Sequence, residues 1–104
     1  RPLKPEADTR HAYHLYTLRI SEKDCGLSRD AFLQTLNDAG IGTGVHYRSL
    51  AQQPYYQERY GWRPAACPAA TAFGDETISL PLGPGLSEAN VGRIIETVTA
   101  VLTR

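Results

Sequence analysis

Residues 42–47 have the sequence Gly42-Thr43-Gly44-Val45-His46-Tyr47, and the chain is organised around them. Two glycines free the backbone just before a short β-branched and aromatic run, and glycine at such a place permits close approach by another backbone or a ligand. The run predicts a short strand that ends with an imidazole and a phenol. Because side chains alternate along a strand, His46 and Tyr47 should face different cavities. The plainer interpretation is a buried edge strand whose His and Tyr only satisfy hydrogen bonds.

The composition is that of one ordinary globular domain. The chain has 104 residues, of which 41% are hydrophobic and 21% are charged, and this length supports one modest core. Eleven basic and eleven acidic residues cancel, which argues against nucleic acid or an anionic membrane as the main partner. No apolar run reaches the length of a membrane-spanning helix, and residues 1–6 do not resemble a signal peptide.

The two cysteines, Cys25 and Cys67, are far apart, and neither lies in a C-x-x-C motif. This usage favours a reduced, cytoplasmic setting over a disulfide scaffold, and it leaves open whether the two thiols ever pair. The sequence contains no methionine, even at position 1. We therefore expect the chain to start inside a longer protein, or to have been processed or excised.

Sequence patterns predict three strands and about four helices. Residues 1–10 are polar, contain two prolines and are interpreted as a linker, and residues 21–27 as a surface loop. Strands are predicted over residues 11–20, 42–47 and 77–80, and helices over residues 28–40, 54–60, 68–76 and 87–102. Such a set fits a small α+β layer in which a short sheet carries helices mainly on one face.

The faces of these elements can also be predicted. The even-numbered residues of the first strand are the more apolar, so His14 should point towards packed material, while Tyr13, Leu15 and Thr17 on the other face suggest docking. The inward residues predicted for the last two helices are Ala69, Ala72 and Phe73, and then Val91, Ile94, Ile95, Val98, Val101 and Leu102.

Four ordered motifs resemble one known family. They are His11-Ala12-Tyr13-His14-Leu15-Tyr16, Gly40-Ile41-Gly42-Thr43-Gly44-Val45-His46-Tyr47, Gln53-Pro54-Tyr55-Tyr56, and Ile78-Ser79-Leu80-Pro81-Leu82 with Leu86-Ser87. Together they closely resemble the C-terminal domain of the DegT/DnrJ/EryC1/StrS family of sugar aminotransferases, which includes the enzymes that make aminoarabinose for lipid A. The resemblance covers nearly the whole chain, so residues 11–104 are expected to form such a domain.

The resemblance implies a fold-type I transaminase that depends on pyridoxal phosphate (PLP). Such an enzyme has a large N-terminal domain that carries the cofactor and a small C-terminal domain of antiparallel sheet plus helices. The active site lies between the two domains and is completed by the second subunit of a homodimer. The implied reaction passes an amino group from glutamate to a keto-sugar nucleotide, as in lipopolysaccharide or polysaccharide biosynthesis.

The chain departs from that chemistry in one respect. Transamination needs a lysine that binds the cofactor and shuttles a proton. The only lysines are Lys4 in the lead-in and Lys23 in the predicted loop, and no Gly/Ser-rich phosphate loop precedes a helix. We therefore expect the large domain to bind PLP and this domain to be inactive alone.

The resemblance implies that this chain forms one wall of the active-site cleft. His46 is the first candidate for contact with the glutamate or 2-oxoglutarate carboxylate or with the sugar nucleotide. Tyr47 and His14 follow as substrate-binding neighbours, although His14 can equally be a satisfied histidine in a packed strand. Arg48 can pair with a carboxylate or phosphate, or simply be solvated. The aromatic residues of the next segment are expected either to contact the large domain or to pack internally: Tyr55, Tyr56 and Trp62.

Two other interpretations compete with this one. The first is a free-standing α+β module that binds a ligand or regulates a partner. The second is a metal site built from His11, His14 and His46, but His11 and His14 are three residues apart on a predicted strand and so face opposite sides. The metal site is therefore the weaker alternative.

Overall fold

The computed structural model describes Pro2 and residues 4–103. This part of the chain contains five α-helices and one small sheet, and none of the helices is long and apolar enough to cross a membrane. The strands are β1 (Tyr16–Arg19) and β2 (Thr77–Leu80). The helices are α1 (Glu22–Cys25), α2 (Arg29–Asp38), α3 (Pro54–Tyr60), α4 (Pro68–Glu76) and α5 (Glu88–Leu102), and the 3₁₀ helices Leu50–Gln52 and Pro64–Ala66 precede α3 and α4.

The sheet is antiparallel and has two strands, with Tyr16 opposite Leu80 and Arg19 opposite Thr77. The α+β class is confirmed, but the predicted third strand does not form. Of residues 42–47, only Gly44 pairs with the sheet, through a single antiparallel bridge to the middle of β2. Glycine offers no side chain to pack on a sheet, and the chain leaves the sheet after this contact.

The first strand is shorter than predicted. Tyr13 has a φ of 49°, outside the extended region, and β1 begins only at Tyr16. Leu18 and Ile20 are buried, as the apolar face predicts. His14 precedes the strand and is exposed, so the prediction that it points towards packed material is wrong.

Local signals place the helices close to their predicted bounds. The hydroxyls of Ser28 and Ser87 accept backbone amide hydrogen bonds at the starts of α2 and α5, and Gly40 follows α2 with a φ of 73°. Pro54 occupies the first turn of α3. Residues 21–27 differ from the predicted loop because they contain α1, a single helical turn.

The core lies between the sheet, α2 and α5. Phe32 and Leu36 of α2 are fully buried, and burial of a side chain of this size stabilises a fold by roughly 1.5–3 kcal/mol. The other buried apolar residues of the core are Leu18, Ile20, Ile41, Ile78 and Val101. Of the stripe predicted for α5, Ile94 and Val98 also pack here, whereas Val91, Ile95 and Leu102 are exposed. The small sheet and α2 thus cover only one side of α5.

The position of α4 depends on polar and backbone contacts. Its predicted inward side is exposed or half-buried: Ala69, Ala72 and Phe73. Instead, the buried guanidinium of Arg29 donates from Nη1 to the carbonyls of Gly74 at 3.2 Å and Thr77 at 2.9 Å. These carbonyls lie at the C-terminal end of α4, where the helix dipole favours a cation. Arg29 therefore joins α2 to the connection between α4 and β2.

Candidate substrate-binding site

The imidazole of His46 is fixed by two contacts. Gly44 and Ser79 exchange two backbone hydrogen bonds, with N–O distances of 3.2 and 2.7 Å, which bring the chain against β2. The Nδ1 atom of His46 then lies 3.0 Å from Oγ of Ser79. The ring also lies close to Gly44, because a Cβ added there would be 2.6 Å from Cε1 of His46. The ring position observed here therefore requires glycine at position 44.

The segment that follows His46 in the chain contacts α4. A Cβ added to Gly74 would lie 2.8 Å from the backbone nitrogen of Ser49, so the two backbones are in close contact. The side chain of Gln52 accepts a hydrogen bond from the Ser49 amide at 3.2 Å and donates to Asp75 at 2.7 Å. Residues 45–48 thus connect two backbone contacts, one with β2 and one with α4.

His46 and His14 line the same open groove, which has a volume of about 380 Å³. The groove is completed by residues 42–44 and by residues 79–82 at the end of β2. Among the described residues, Nε2 of His46 has no hydrogen-bond partner. The structure therefore brings together two of the three predicted substrate-binding residues, His14 and His46. Of these, His46 is held by Ser79 and keeps its Nε2 atom available to a ligand.

Tyr47 lies in a different groove. Its side chain is 72% exposed and meets the ring of His46 edge-on, with 4.9 Å between ring centroids. The groove beside it has a volume of about 390 Å³ and is lined also by Arg29, Asp30 and Arg48. His46 and Tyr47 therefore line different grooves, but the predicted strand alternation does not explain this, because residues 45–47 do not belong to a strand.

The third histidine lies apart from both grooves. Nδ1 of His11 accepts a hydrogen bond from the Tyr13 amide at 2.8 Å, and the two rings are in contact. Across the described part of the chain, no three His, Cys, Asp or Glu side chains are placed to hold a metal ion. Cys25 and Cys67 are both free thiols.

Aromatic side chains form a cluster at α3 and the residues that follow it. Tyr56 stacks on Trp62 with 5.2 Å between ring centroids, and Tyr60 lies 5.8 Å from the same indole. Tyr55, Tyr60 and Trp62 are nevertheless exposed. The cluster therefore packs internally and also presents an outer surface.

The lysines are not placed for cofactor chemistry. Lys4 and Lys23 are the only two in the sequence; both are exposed, and Lys23 belongs to the one-turn helix α1. Neither lines the groove of His46. The described residues therefore do not fit the covalent binding of PLP.

Two residues of the site, Ser79 and Gly74, have no role predicted from the sequence. Ser79 lies between Ile78 and Leu80, and a polar residue within an apolar strand signals a buried hydrogen bond. Its partner is 33 positions away and is not indicated by the strand itself. Gly74 lies within a helical pattern, where glycine signals close packing against another backbone.

Comparison with known proteins identifies the family. The sequence profile of the DegT/DnrJ/EryC1/StrS aminotransferase family matches residues 1–99. The chain belongs to this family. One relative, the spore coat polysaccharide biosynthesis protein SpsC of Bacillus subtilis (strain 168), is 40% identical over 96 residues, which make up 91% of this chain and 25% of SpsC.

Solved structures of sugar aminotransferases share the fold. Spr1654 from Streptococcus pneumoniae, assigned as a sugar aminotransferase, matches in its PMP form with a TM-score of 0.84 and 35% identity, over 98% of this chain and 25% of Spr1654. The PLP form of Spr1654 matches equally well, and this indicates that the structural relatives are PLP-dependent enzymes. PseC of Helicobacter pylori, an aminotransferase involved in the biosynthesis of pseudoaminic acid, matches with a TM-score of 0.75 and 28% identity, over 86% of this chain and 24% of PseC. The chain thus spans about a quarter of the length of these relatives.

Proposed function

We propose that residues 11–104 are the C-terminal domain of a PLP-dependent sugar-nucleotide aminotransferase and form one wall of its active-site cleft, with residues 1–10 as a linker. Family membership supports this proposal, as does the small share of the relatives that the chain spans. The placement of Lys4 and Lys23 agrees with a cofactor held by the N-terminal large domain. On this proposal, the chain alone does not catalyse transamination.

The observation that carries the proposal is the fixed imidazole of His46 beside an open groove. One ring nitrogen contacts Ser79, and Nε2 remains available to a ligand. A carboxylate of glutamate or 2-oxoglutarate, or an oxygen of the sugar nucleotide, accepts a hydrogen bond from such a nitrogen. His14, at the same groove, offers a second imidazole to the same substrate.

The groove of Tyr47 provides a second set of contacts. The phenol of Tyr47 can donate to a substrate oxygen, and the guanidinium of Arg48 suits a carboxylate or a phosphate. The aromatic cluster then contacts the large domain through the exposed Tyr55 and Trp62 and through the half-buried Tyr56. A second subunit completes the cleft, so the working protein is a homodimer.

In the proposed reaction, glutamate gives its amino group to the carbonyl carbon of a keto-sugar nucleotide and leaves as 2-oxoglutarate. PLP, when bound by the large domain, supplies the chemistry of amino-group transfer. The residues of this chain bind and orient the substrates. The cytoplasmic setting expected from Cys25 and Cys67 suits a nucleotide-linked substrate.

The direct test is His46→Asn in the full-length protein, with His11→Asn as the matched control. An asparagine amide can still reach Ser79, but it places no donor at the position of Nε2. We expect KM for glutamate or for the sugar nucleotide to rise roughly 10-fold or more, because a hydrogen bond to a charged group contributes roughly 1.5–3 kcal/mol. The visible absorbance of bound PLP should stay unchanged. Equal KM values in both variants and the parent would refute the role of His46.

A second experiment separates this proposal from a free-standing ligand-binding module. PLP is added to the 104-residue chain and, in parallel, to the full-length protein. We expect the visible absorbance of a lysine-bound cofactor only with the full-length protein. A stoichiometric band with the chain alone would contradict the division of roles between the two domains.

A further inference from the structure

The hydroxyl of Ser79 has few ways to satisfy its hydrogen bonds. The residue is 4% exposed, and its backbone N–H and C=O both bond to Gly44. Among the described residues, the partner of its Oγ is Nδ1 of His46, at 3.0 Å. A buried hydroxyl proton without an acceptor is costly, so the direction of this hydrogen bond matters.

Two arrangements are chemically possible between a hydroxyl and a neutral imidazole. If Nδ1 of His46 carried the proton, the hydroxyl of Ser79 would accept it, and the hydroxyl's own proton would be buried without a partner. If the hydroxyl instead donates to Nδ1, its proton is satisfied, and the ring proton lies on Nε2. The second arrangement leaves no buried donor unpaired, and it gives the groove an N–H donor.

Gly44 restricts the same ring sterically. The position of a Cβ on Gly44 lies within 3.4 Å of three ring atoms of His46, the nearest being Cε1 at 2.6 Å. Gly42, two residues earlier, has nothing within 4 Å of the corresponding position. The two glycines of the motif therefore differ, because only Gly44 is needed to accommodate the imidazole.

We propose that Ser79 and Gly44 are positioning residues for His46: Ser79 donates to Nδ1 and fixes the tautomer with the proton on Nε2, and Gly44 leaves room for the ring. The ligand atom that this arrangement suits is an acceptor oxygen, either of a carboxylate or of the sugar nucleotide. The proposal rests on the proposed function only in taking the groove of His46 as the substrate side.

The test is nuclear magnetic resonance of the full-length protein labelled with ¹⁵N in its histidine rings, where His46→Asn assigns the signals. In the parent protein at a pH that keeps the imidazole neutral, His46 should show one tautomer, with a pyridine-like Nδ1 and a pyrrole-like Nε2. Ser79→Ala should give the averaged nitrogen shifts of a mixed tautomer, as expected for the exposed His14. Ser79→Thr, which keeps the hydroxyl, should restore the single tautomer.

Two matched controls exclude a general effect on the fold. Thr77→Val removes another buried hydroxyl from β2, and it should leave the His46 signals unchanged. Gly44→Ala should shift the ring signals of His46, whereas Gly42→Ala should not. A mixed tautomer in the parent, or a single Nε2–H tautomer retained in Ser79→Ala, would overturn the proposal.

Steady-state kinetics separate this inference from the proposed function. We expect Ser79→Ala to raise KM about 3-fold to 10-fold for the same substrate that His46→Asn affects, with kcat changed less and with Ser79→Thr close to the parent. If His46→Asn leaves KM unchanged while Ser79→Ala still mixes the tautomers, the positioning role stands and the substrate role of His46 fails. If His46→Asn raises KM while the tautomer is independent of Ser79, the substrate role of His46 stands and the positioning role of Ser79 fails.

Discussion

The contact between α4 and the segment after His46 predicts an unusual cost for Gly74→Ala. The new Cβ would lie 2.8 Å from the Ser49 nitrogen and 3.0 Å from Cα of Arg48, both of them backbone atoms, so the helix and the segment must move apart. Overpacking of this kind costs roughly 1–3 kcal/mol, and the better helix propensity of alanine returns up to about 1 kcal/mol. With a middle value of about 2 kcal/mol for the overpacking cost, we expect a net loss of about 1–2 kcal/mol in the free energy of unfolding.

The matched control is Gly92→Ala in α5, where nothing lies within 4 Å of the added Cβ. Because only helix propensity changes there, this variant should gain about 0.5–1 kcal/mol. Equilibrium unfolding in urea measures both effects on the same chain, and the two midpoints should move in opposite directions. A Gly74→Ala midpoint equal to or above that of the parent would refute the close approach of α4 to Ser49.

Three further predictions concern burial and exposure. The buried Oγ1 of Thr77 has no hydrogen-bond partner among the described residues, so Thr77→Val should raise the free energy of unfolding in urea by about 1 kcal/mol. A variant less stable than the parent would show that this hydroxyl has a partner. Arg29→Met should lower the same quantity by about 2–3 kcal/mol, because two buried carbonyls lose a charged donor, and an unchanged midpoint would contradict this anchor. The exposed apolar side of α5, with Val91 and Ile95, should make the 104-residue chain bind a hydrophobic dye and associate in size-exclusion chromatography. Ile95→Lys should weaken both effects. If the variant binds as much dye as the parent chain, the apolar surface that binds the dye lies outside α5.

The elements that the sequence predicts well are those with local signals. A proline at the first turn and a glycine after the last one set the bounds of α3, and Pro68 and the β-branched start of β2 set those of α4. Helix α5 begins after the capping residue Ser87, as predicted. These signals act over a few residues, and tertiary packing does not override them here.

The errors arise where distant contacts decide the structure. Residues 42–47 have the composition of a strand, but only the bridge to Ser79 forms, because the chain then turns towards α4. The alternation in residues 11–20 is interrupted at Tyr13 by a positive φ, which no pattern of apolar residues reveals. His14 consequently reaches the groove of His46 from an exposed segment and not from a packed strand.

The members of the candidate site stay a prediction, and the contacts that hold His46 in place could not be predicted from the sequence. The motif names His46 and Tyr47 as candidates, but the strand alternation from which different faces were predicted does not occur there. The hydrogen bond to Ser79 joins positions 33 apart, and a single sequence does not indicate such a pair. The supporting residues therefore became evident only from the packing of β2 and α4.

The two backbone contacts that flank residues 45–48 have a consequence for how this surface can diversify. The contact with β2 is a pair of main-chain hydrogen bonds, and the contact with α4 needs the missing side chain of Gly74, so neither contact uses the side chains of Val45, Tyr47 or Arg48. Substitutions at those three positions therefore do not remove either backbone contact. In this family of aminotransferases, the surface of the groove beside Tyr47 can thus change by substitution while the backbone underneath keeps its two contacts.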